Sequence, residues 1–328
     1  MNSLLIGLLS AIVATNQPAA VSNLVHQQIG VAVEIPDTSS PVEQEFQKVM
    51  LLDDEAAEEV DKWILENQKF AAEGAGVDPQ VLNQRIRGRL KPVRQAYEDF
   101  IERHPNHVRA RLAFASFLDD LHDEDAVFEQ LEVAKKLDPE NPAIWNNLAN
   151  YHGHRGDPKL AFEYYAKAIA LNSNESVYYH NFGTTVFLFR KDAKEFYDID
   201  EQQVFDKALD LYSHALKLDP DNFPLATDVA QTYYGIKPLR TNDALICWTN
   251  AMNTAHNEVE REGVHIHMAR IKMLAGQYDE ATNHLNLVTN ENFAEVRNRV
   301  ARAIQRHIEE DAGVTNATES ATDNLTVP

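Results

Sequence analysis

Thirteen histidines are the side chains of this sequence with the most chemistry to offer, and their spacing limits it. His152 and His154, and again His265 and His267, stand two residues apart. On a helix such residues project from different sides, so neither pair can close on one metal ion. Where a third ligand would follow one turn later, the chain offers only Gly156, Pro158, Ala269 and Ile271. The histidines therefore read as surface or half-buried residues. Neither HExxH, a glycine-rich phosphate loop, GxSxG nor a Cys–His nucleophile pairing occurs. One cysteine, Cys247, excludes an internal disulfide and any CxxC site. Beside Trp248 it reads as a buried structural thiol. The acidic runs Asp53-Asp54-Glu55 and Glu309-Glu310-Asp311 read as solvated helix ends. Nothing here predicts an enzyme, a metal or a cofactor.

The elements that would hold these residues are helices. Low glycine, 44% apolar content and abundant Ala, Leu, Glu and Asp suit an all-α chain. A formal charge of −21 argues against nucleic acid and against an anionic membrane face, and favours a basic or neutral partner.

Residues 1–33 carry no Lys, Arg, Asp or Glu. Leu4 to Ala14 is an apolar run of eleven residues, too short to span a bilayer and right for a signal-peptide core, though no basic residue precedes it. Small residues at Ala14 and Ala20 fit a cleavage site, so residues 1–20 are expected to be a signal peptide and 21–41 a linker ending in Pro36-Asp37-Thr38-Ser39-Ser40-Pro41. Residues 42–75 read as N-terminal capping helices, with Phe46, Val49, Met50, Val60, Trp63 and Ile64 at helical spacing and a break near Leu52–Glu55. Asp78-Pro79 should cap a helix ending near Leu90, and Pro92 should open another. Beyond Asp311 the chain is small, polar and aperiodic, so 311–328 is expected to be a disordered tail. Its two sequons, at Asn316 and Asn324, are of the kind that arise by chance in such a composition.

Residues 142–175 organise what lies between. Trp145, Leu148 and Ala149 precede Gly156-Asp157-Pro158, and Ala161, Tyr165, Ala168 and Leu171 follow. Asn141-Pro142 and Asp157-Pro158 each pair a capping side chain with proline at the first helical position. Two short antiparallel helices follow. One repeat length away, Leu131, Ala134 and Leu137 stand where Tyr165, Ala168 and Leu171 do, and Tyr179, Phe182 and Gly183 stand where Trp145, Leu148 and Ala149 do. Small residues recur because only Gly or Ala lets helix backbones approach at a crossing. The chain resembles the tetratricopeptide-repeat family, whose unit is about 34 residues, over roughly residues 76–295.

That resemblance implies a right-handed α-solenoid of about five to six helix pairs, residues 76–310, with capping helices at both ends. The first repeat, 76–107, is degenerate; the others begin near 108, 142, 176, 223 and 262. In the third full repeat Ala208 arrives thirteen residues later than Ala161 demands, which places an insertion at about Lys191–Gln203, as a longer helix or a projecting loop. Phe293, Val296, Val300, Ile304 and Ile308 draw one apolar stripe on a last helix.

In this family the first helices of successive repeats line a concave surface that holds extended peptides. The resemblance places Asn147, Asn181 and Asp228 at equivalent positions there, with His267 next, and Asn150, Thr184 and Gln231 three residues on. Amides donate and accept, which suits an unpaired peptide backbone. The basic places of the family's carboxylate clamp fall on Asn146, Pro224 and Asp228, which cannot neutralise a C-terminus. The expected function is a protein–protein interaction scaffold for a protein or peptide partner, periplasmic or secreted, with cytoplasmic residence as the alternative. The rival reading is an architectural subunit of an envelope or secretion assembly.

Overall fold

A computed structural model describes residues 40–72, 74–311 and 313. The leader, the linker up to Ser39, the tail and its sequons lie outside the described residues. Among the described residues there are fourteen α-helices and no strand, and none of the helices is long and apolar enough to cross a membrane. The chain divides into two compact units, one ending at Asn174 and one starting at Glu175.

The first unit holds six helices, α1 (Pro41–Ala72), α2 (Pro79–Arg103), α3 (Val108–Asp120), α4 (Glu124–Leu137), α5 (Pro142–Arg155) and α6 (Pro158–Leu171), paired in sequence as antiparallel hairpins. The α5/α6 hairpin shows how local chemistry sets the ends. Asn141 accepts from the Ala143 amide and Asp157 from that of Leu160. Between them Gly156 ends α5 at φ 87°, a left-handed conformation that costs glycine nothing. Ile144, Leu148, Ala149, Ala161, Phe162, Tyr165 and Ala168 are buried in the pair. The preceding hairpin packs on through α4; Val127, Leu131 and Ala134 of α4 and Phe114, Ala115 and Leu118 of α3 are buried.

Three expectations for this unit are corrected. Helix α1 runs unbroken through Leu52–Glu55, and the acidic run is mid-helix, not a helix end. Asp53 is half-buried and accepts the Tyr97 hydroxyl at 2.7 Å. Helix α2 runs unbroken through Pro92, so 76–107 is one helix and not a pair, and its partner is α1. Proline inside a helix costs about 3 kcal/mol, partly through the bond it cannot donate. Here that bond would go to Gly88, which is exposed with open space beside it, so water can satisfy the carbonyl. On the other side Val93, Tyr97 and Phe100 are fully buried and hold the helix in place. Glu43 binds His107 (3.0 Å) and Arg109 (2.7 Å), and Glu45 binds Arg103 and His104, which pins the start of α1 to the α2–α3 turn.

The second unit holds α7 (Ser176–Leu188), α8 (Arg190–Tyr197), α9 (Glu201–Leu218), α10 (Phe223–Thr232), α11 (Thr241–Thr254), α12 (Glu258–Leu274), α13 (Tyr278–Asn286) and α14 (Ala294–Asp311). Its hairpins are α7/α9, α10/α11 and α12/α13. The expected insertion is neither a loop nor only a longer helix. It folds as the separate helix α8, anchored by the buried Ala193, and as an extra turn of α9 closed by a capping box of Asp200 and Gln203. Phe196 of α8 is exposed. Gly183 lies at a close approach, for a Cβ there would meet the Tyr212 ring at 3.0 Å. Val300 and Ile304 of α14 are buried against Ile266, Ala269, Ala281, Leu285 and Val288. Cys247 is half-buried beside the Trp248 cluster, and burial raises its thiol pKa.

Candidate functional site

Once the apolar positions of the first helices are buried, the remaining positions face outward, and these carry the residues proposed to bind. On α5, Ile144, Trp145, Leu148 and Ala149 are buried, which leaves Asn147 and Asn150 half-exposed on one face. Asn147 receives a long contact, 3.4 Å, from the amide of the buried Asn146. Asn150 accepts the Tyr165 hydroxyl at 2.6 Å, while its amide nitrogen makes no hydrogen bond to another described residue.

The same grammar holds in the second unit. On α7, Thr184 accepts the Tyr212 hydroxyl at 3.0 Å, and Asn181 is half-exposed one turn earlier. On α10, Leu225, Ala226, Val229 and Ala230 are buried, while Asp228 and Gln231 are exposed. His180 of α7 reaches Asp228 at 3.2 Å. His267, the next in the series, is turned to packing. Its ring stacks on Trp248 at 4.2 Å and 9°, with the Tyr234 hydroxyl 3.1 Å from Nδ1. Burial, then Arg270, holds its pKa down at about 4, so it is neutral at physiological pH.

A tyrosine tie runs through these hairpins and was not foreseen. Tyr97, Tyr165 and Tyr212 each donate from a second helix to a polar residue of the paired first helix, Asp53, Asn150 and Thr184. The signal was in the spacing. Tyr165 follows Asn150 by 15 residues and Tyr212 follows Thr184 by 28, and the difference, thirteen, is the length of the insertion. Asn150 and Thr184 thus hold the hairpins together with one side of their polar groups and leave the other side outward.

The histidine pairs also divide as helical geometry requires. His152 packs among Phe128, Tyr151 and Tyr164, and burial lowers its pKa. His265 meets His284 of α13, Nδ1 to Nδ1, at 3.1 Å. No group of three His, Cys, Asp or Glu suited to a metal occurs among the described residues. A buried carboxylate, Glu262, was not foreseen either. It accepts the Asn290 amide (2.7 Å) and the Thr289 amide (3.0 Å) and hydroxyl (2.9 Å), and these bonds, led by Asn290, hold its pKa below the usual range.

Residues 142–175, the α5/α6 hairpin, match the tetratricopeptide repeat. That hairpin is a tetratricopeptide repeat. Solved structures share the chain's helical arrangement. The widely conserved type IV pilus biogenesis factor PilW is 18% identical, covers 67% of this chain and 95% of its own, and has a TM-score of 0.52. PilF of Pseudomonas aeruginosa is 14% identical, with coverage of 76% and 98% and a TM-score of 0.50. The Cut9–Hcn1 hetero-tetramer of APC/C is also 14% identical, with coverage of 87% and 51% and a TM-score of 0.50. No curated protein matches the chain in sequence. At these identities the likeness speaks for the fold, an all-α solenoid of tetratricopeptide-repeat hairpins.

Proposed function

We propose that this tetratricopeptide-repeat protein is a non-catalytic interaction scaffold that holds a protein or peptide partner against the outward polar residues of its first helices. The observation that carries the reading is α10. Its packing uses Leu225, Ala226, Val229 and Ala230, while Asp228 and Gln231 on the same helix are left exposed and are needed by no core. Asn147 and Asn150 on α5, and Asn181 and Thr184 on α7, repeat the arrangement in half-exposed form. Amides so placed offer a donor and an acceptor to an extended backbone whatever its side chains. The excess of carboxylates favours a basic or neutral partner.

The apolar run at Leu4–Ala14 supports a periplasmic or secreted location, and the type IV pilus role named for PilW is compatible with it. A second reading, an architectural subunit of an envelope or secretion assembly, is favoured by the unburied apolar side chains at the far end of the α1/α2 hairpin. One experiment separates the two. A partner is identified by affinity capture and mass spectrometry, and its binding is titrated against the Asp228→Ala, Gln231→Ala double variant, both on α10. Two backbone hydrogen bonds at about 0.5–1.5 kcal/mol each predict affinity weaker by about one to two orders of magnitude. The melting temperature should stay unchanged. Undiminished affinity would refute the polar-face reading and leave the architectural one.

A further inference from the structure

The α1/α2 hairpin has two halves. Its base is packed, with Phe46, Val49 and Ala56 of α1 and Val93, Tyr97 and Phe100 of α2 all buried. Between Ala57 and Pro92 not one described residue is buried. This outer arm continues for roughly 20–25 Å along each helix, at 1.5 Å per residue. It is not a polar spacer. Trp63, Leu65, Phe70, Val77, Val81 and Ile86 lie on it, and Leu65, Phe70, Val77 and Val81 are each about half exposed, at 54%, 53%, 49% and 56%. A bare pair of helices has no core to bury such side chains, and helices gain most of their stability from packing an apolar face.

Charge identifies the occupant. On the arm, α1 carries Glu58, Glu59, Asp61 and Glu66 against Lys62 and Lys69. Over the matching stretch α2 carries Arg85, Arg87, Arg89 and Lys91 and no acid at all, in a chain whose net charge is −21. Part of this charge is spent inside the arm. The Arg85 guanidinium lies 3.7 Å over the Trp63 ring, and Arg89 pairs with Glu59 at 2.6 Å. Arg87 and Lys91, one turn apart, have no ion-pair partner among the described residues, and neither have Glu58 and Glu66. The arm therefore offers two unpaired basic side chains on a wholly basic stretch of α2 and two unpaired acidic ones on α1, whose four carboxylates outnumber its two lysines, beside exposed apolar side chains.

We infer that this arm is a self-association module, in which α1 and α2 of one copy pack against α2 and α1 of a second copy as an antiparallel four-helix bundle. A two-fold axis sets each basic helix against an acidic one, because an isologous interface presents the same patch twice. An anionic lipid surface would attract α2 but repel α1 and the adjoining Asp53–Glu55. Two arms about 24 Å long and two helices wide bury on the order of 1,000 Å² in total, at the lower edge of a specific interface. The association is accordingly reversible and salt-sensitive.

Sedimentation equilibrium of the full chain over a wide concentration range tests this. The expected result is a monomer–dimer equilibrium that weakens with salt. Reversal at Arg87→Glu with Lys91→Glu should weaken it at least about tenfold, with unchanged helicity by circular dichroism. Adding Glu58→Arg and Glu66→Arg to the same chain should restore it. Both pairs are exposed, so folding is not at stake. A chain that stays monomeric throughout, or a dimer indifferent to the reversal, overturns the inference. So does a monomer that instead binds phosphatidylserine vesicles through the arm. The outcome is independent of the polar-face reading, since the Asp228→Ala, Gln231→Ala variant should dimerise normally.

Discussion

Lowering the pH below neutrality should loosen the second unit through one side chain, His267. Its ring is stacked on Trp248, its Nδ1 faces the Tyr234 hydroxyl and Arg270 stands near, so a second positive charge is unwelcome there. Burial is the larger cause and the Arg270 charge the smaller, and together they hold its pKa at about 4 against an ordinary 6.5. For a histidine lowered in this way the neutral form belongs to the folded state, and protonation favours unfolding. The stabilisation is complete above pH 6.5 and is withdrawn as the pH falls towards 4. At about 1.4 kcal/mol per pH unit the gap amounts to about 3 kcal/mol. His267→Phe should keep the stack on Trp248, and Tyr234 keeps an acceptor in the backbone carbonyl of residue 267 at 3.3 Å. Urea unfolding from pH 7 to 4, followed through Trp248, the only tryptophan of the second unit, should show a steep loss in the wild type. The variant should be flatter by about 3 kcal/mol. An NMR titration of the imidazole gives the pKa directly. Parallel stability curves for the two proteins, or a titration near 6.5, would refute the reasoning.

Two further outcomes check the repeat register and the α13–α14 turn. Ala149 is fully buried and Ala166 exposed, so Ala149→Leu should cost about 1–3 kcal/mol or more and lower the melting temperature, while Ala166→Leu should leave it unchanged. Glu262 is lowered from an ordinary value of about 4.5, so its contribution is full above that pH and is lost as the pH falls through the lower folded value; Glu262→Gln should flatten the acid limb of the melting curve below about pH 4.5.

Much of the fold was legible because repeats state each packing position several times. Ala149, Ala168, Gly183, Ala208 and Ala215 are small where helices cross, and all are buried. Where only one copy exists, sequence reasoning had less to work with. Pro92 reads locally as a helix start, and only burial of Val93, Tyr97 and Phe100 on α1 carries α2 through it. Asp53 reads as solvated because its partner, Tyr97, lies 44 residues away. Glu262 shows no local sign of burial, since its ligands are backbone amides beyond the next helix. Of the candidate site, the polar positions were legible from the resemblance. The double duty of Asn150 and Thr184 was not, because its mark is a spacing to a tyrosine, 15 or 28 residues on, that agrees only once the thirteen-residue insertion is subtracted.

The insertion has a consequence for how the second unit comes together in time. Closing a hairpin costs chain entropy that grows with the logarithm of the segment enclosed. The tie of α7 to α9 encloses 28 residues, where that of α5 to α6 encloses 15, a difference of about 0.6 kcal/mol in closure. Within the second unit the contact between α12 and α13, from His265 to His284, encloses 19. Nucleation therefore favours α12/α13 and α10/α11, where the contact of Tyr234 with Trp248 encloses 14, with α7/α9 joining later. Early formation of α8 would shorten the flexible part of the long segment, so substitutions that fray α8 should slow the refolding of this unit more than they speed its unfolding.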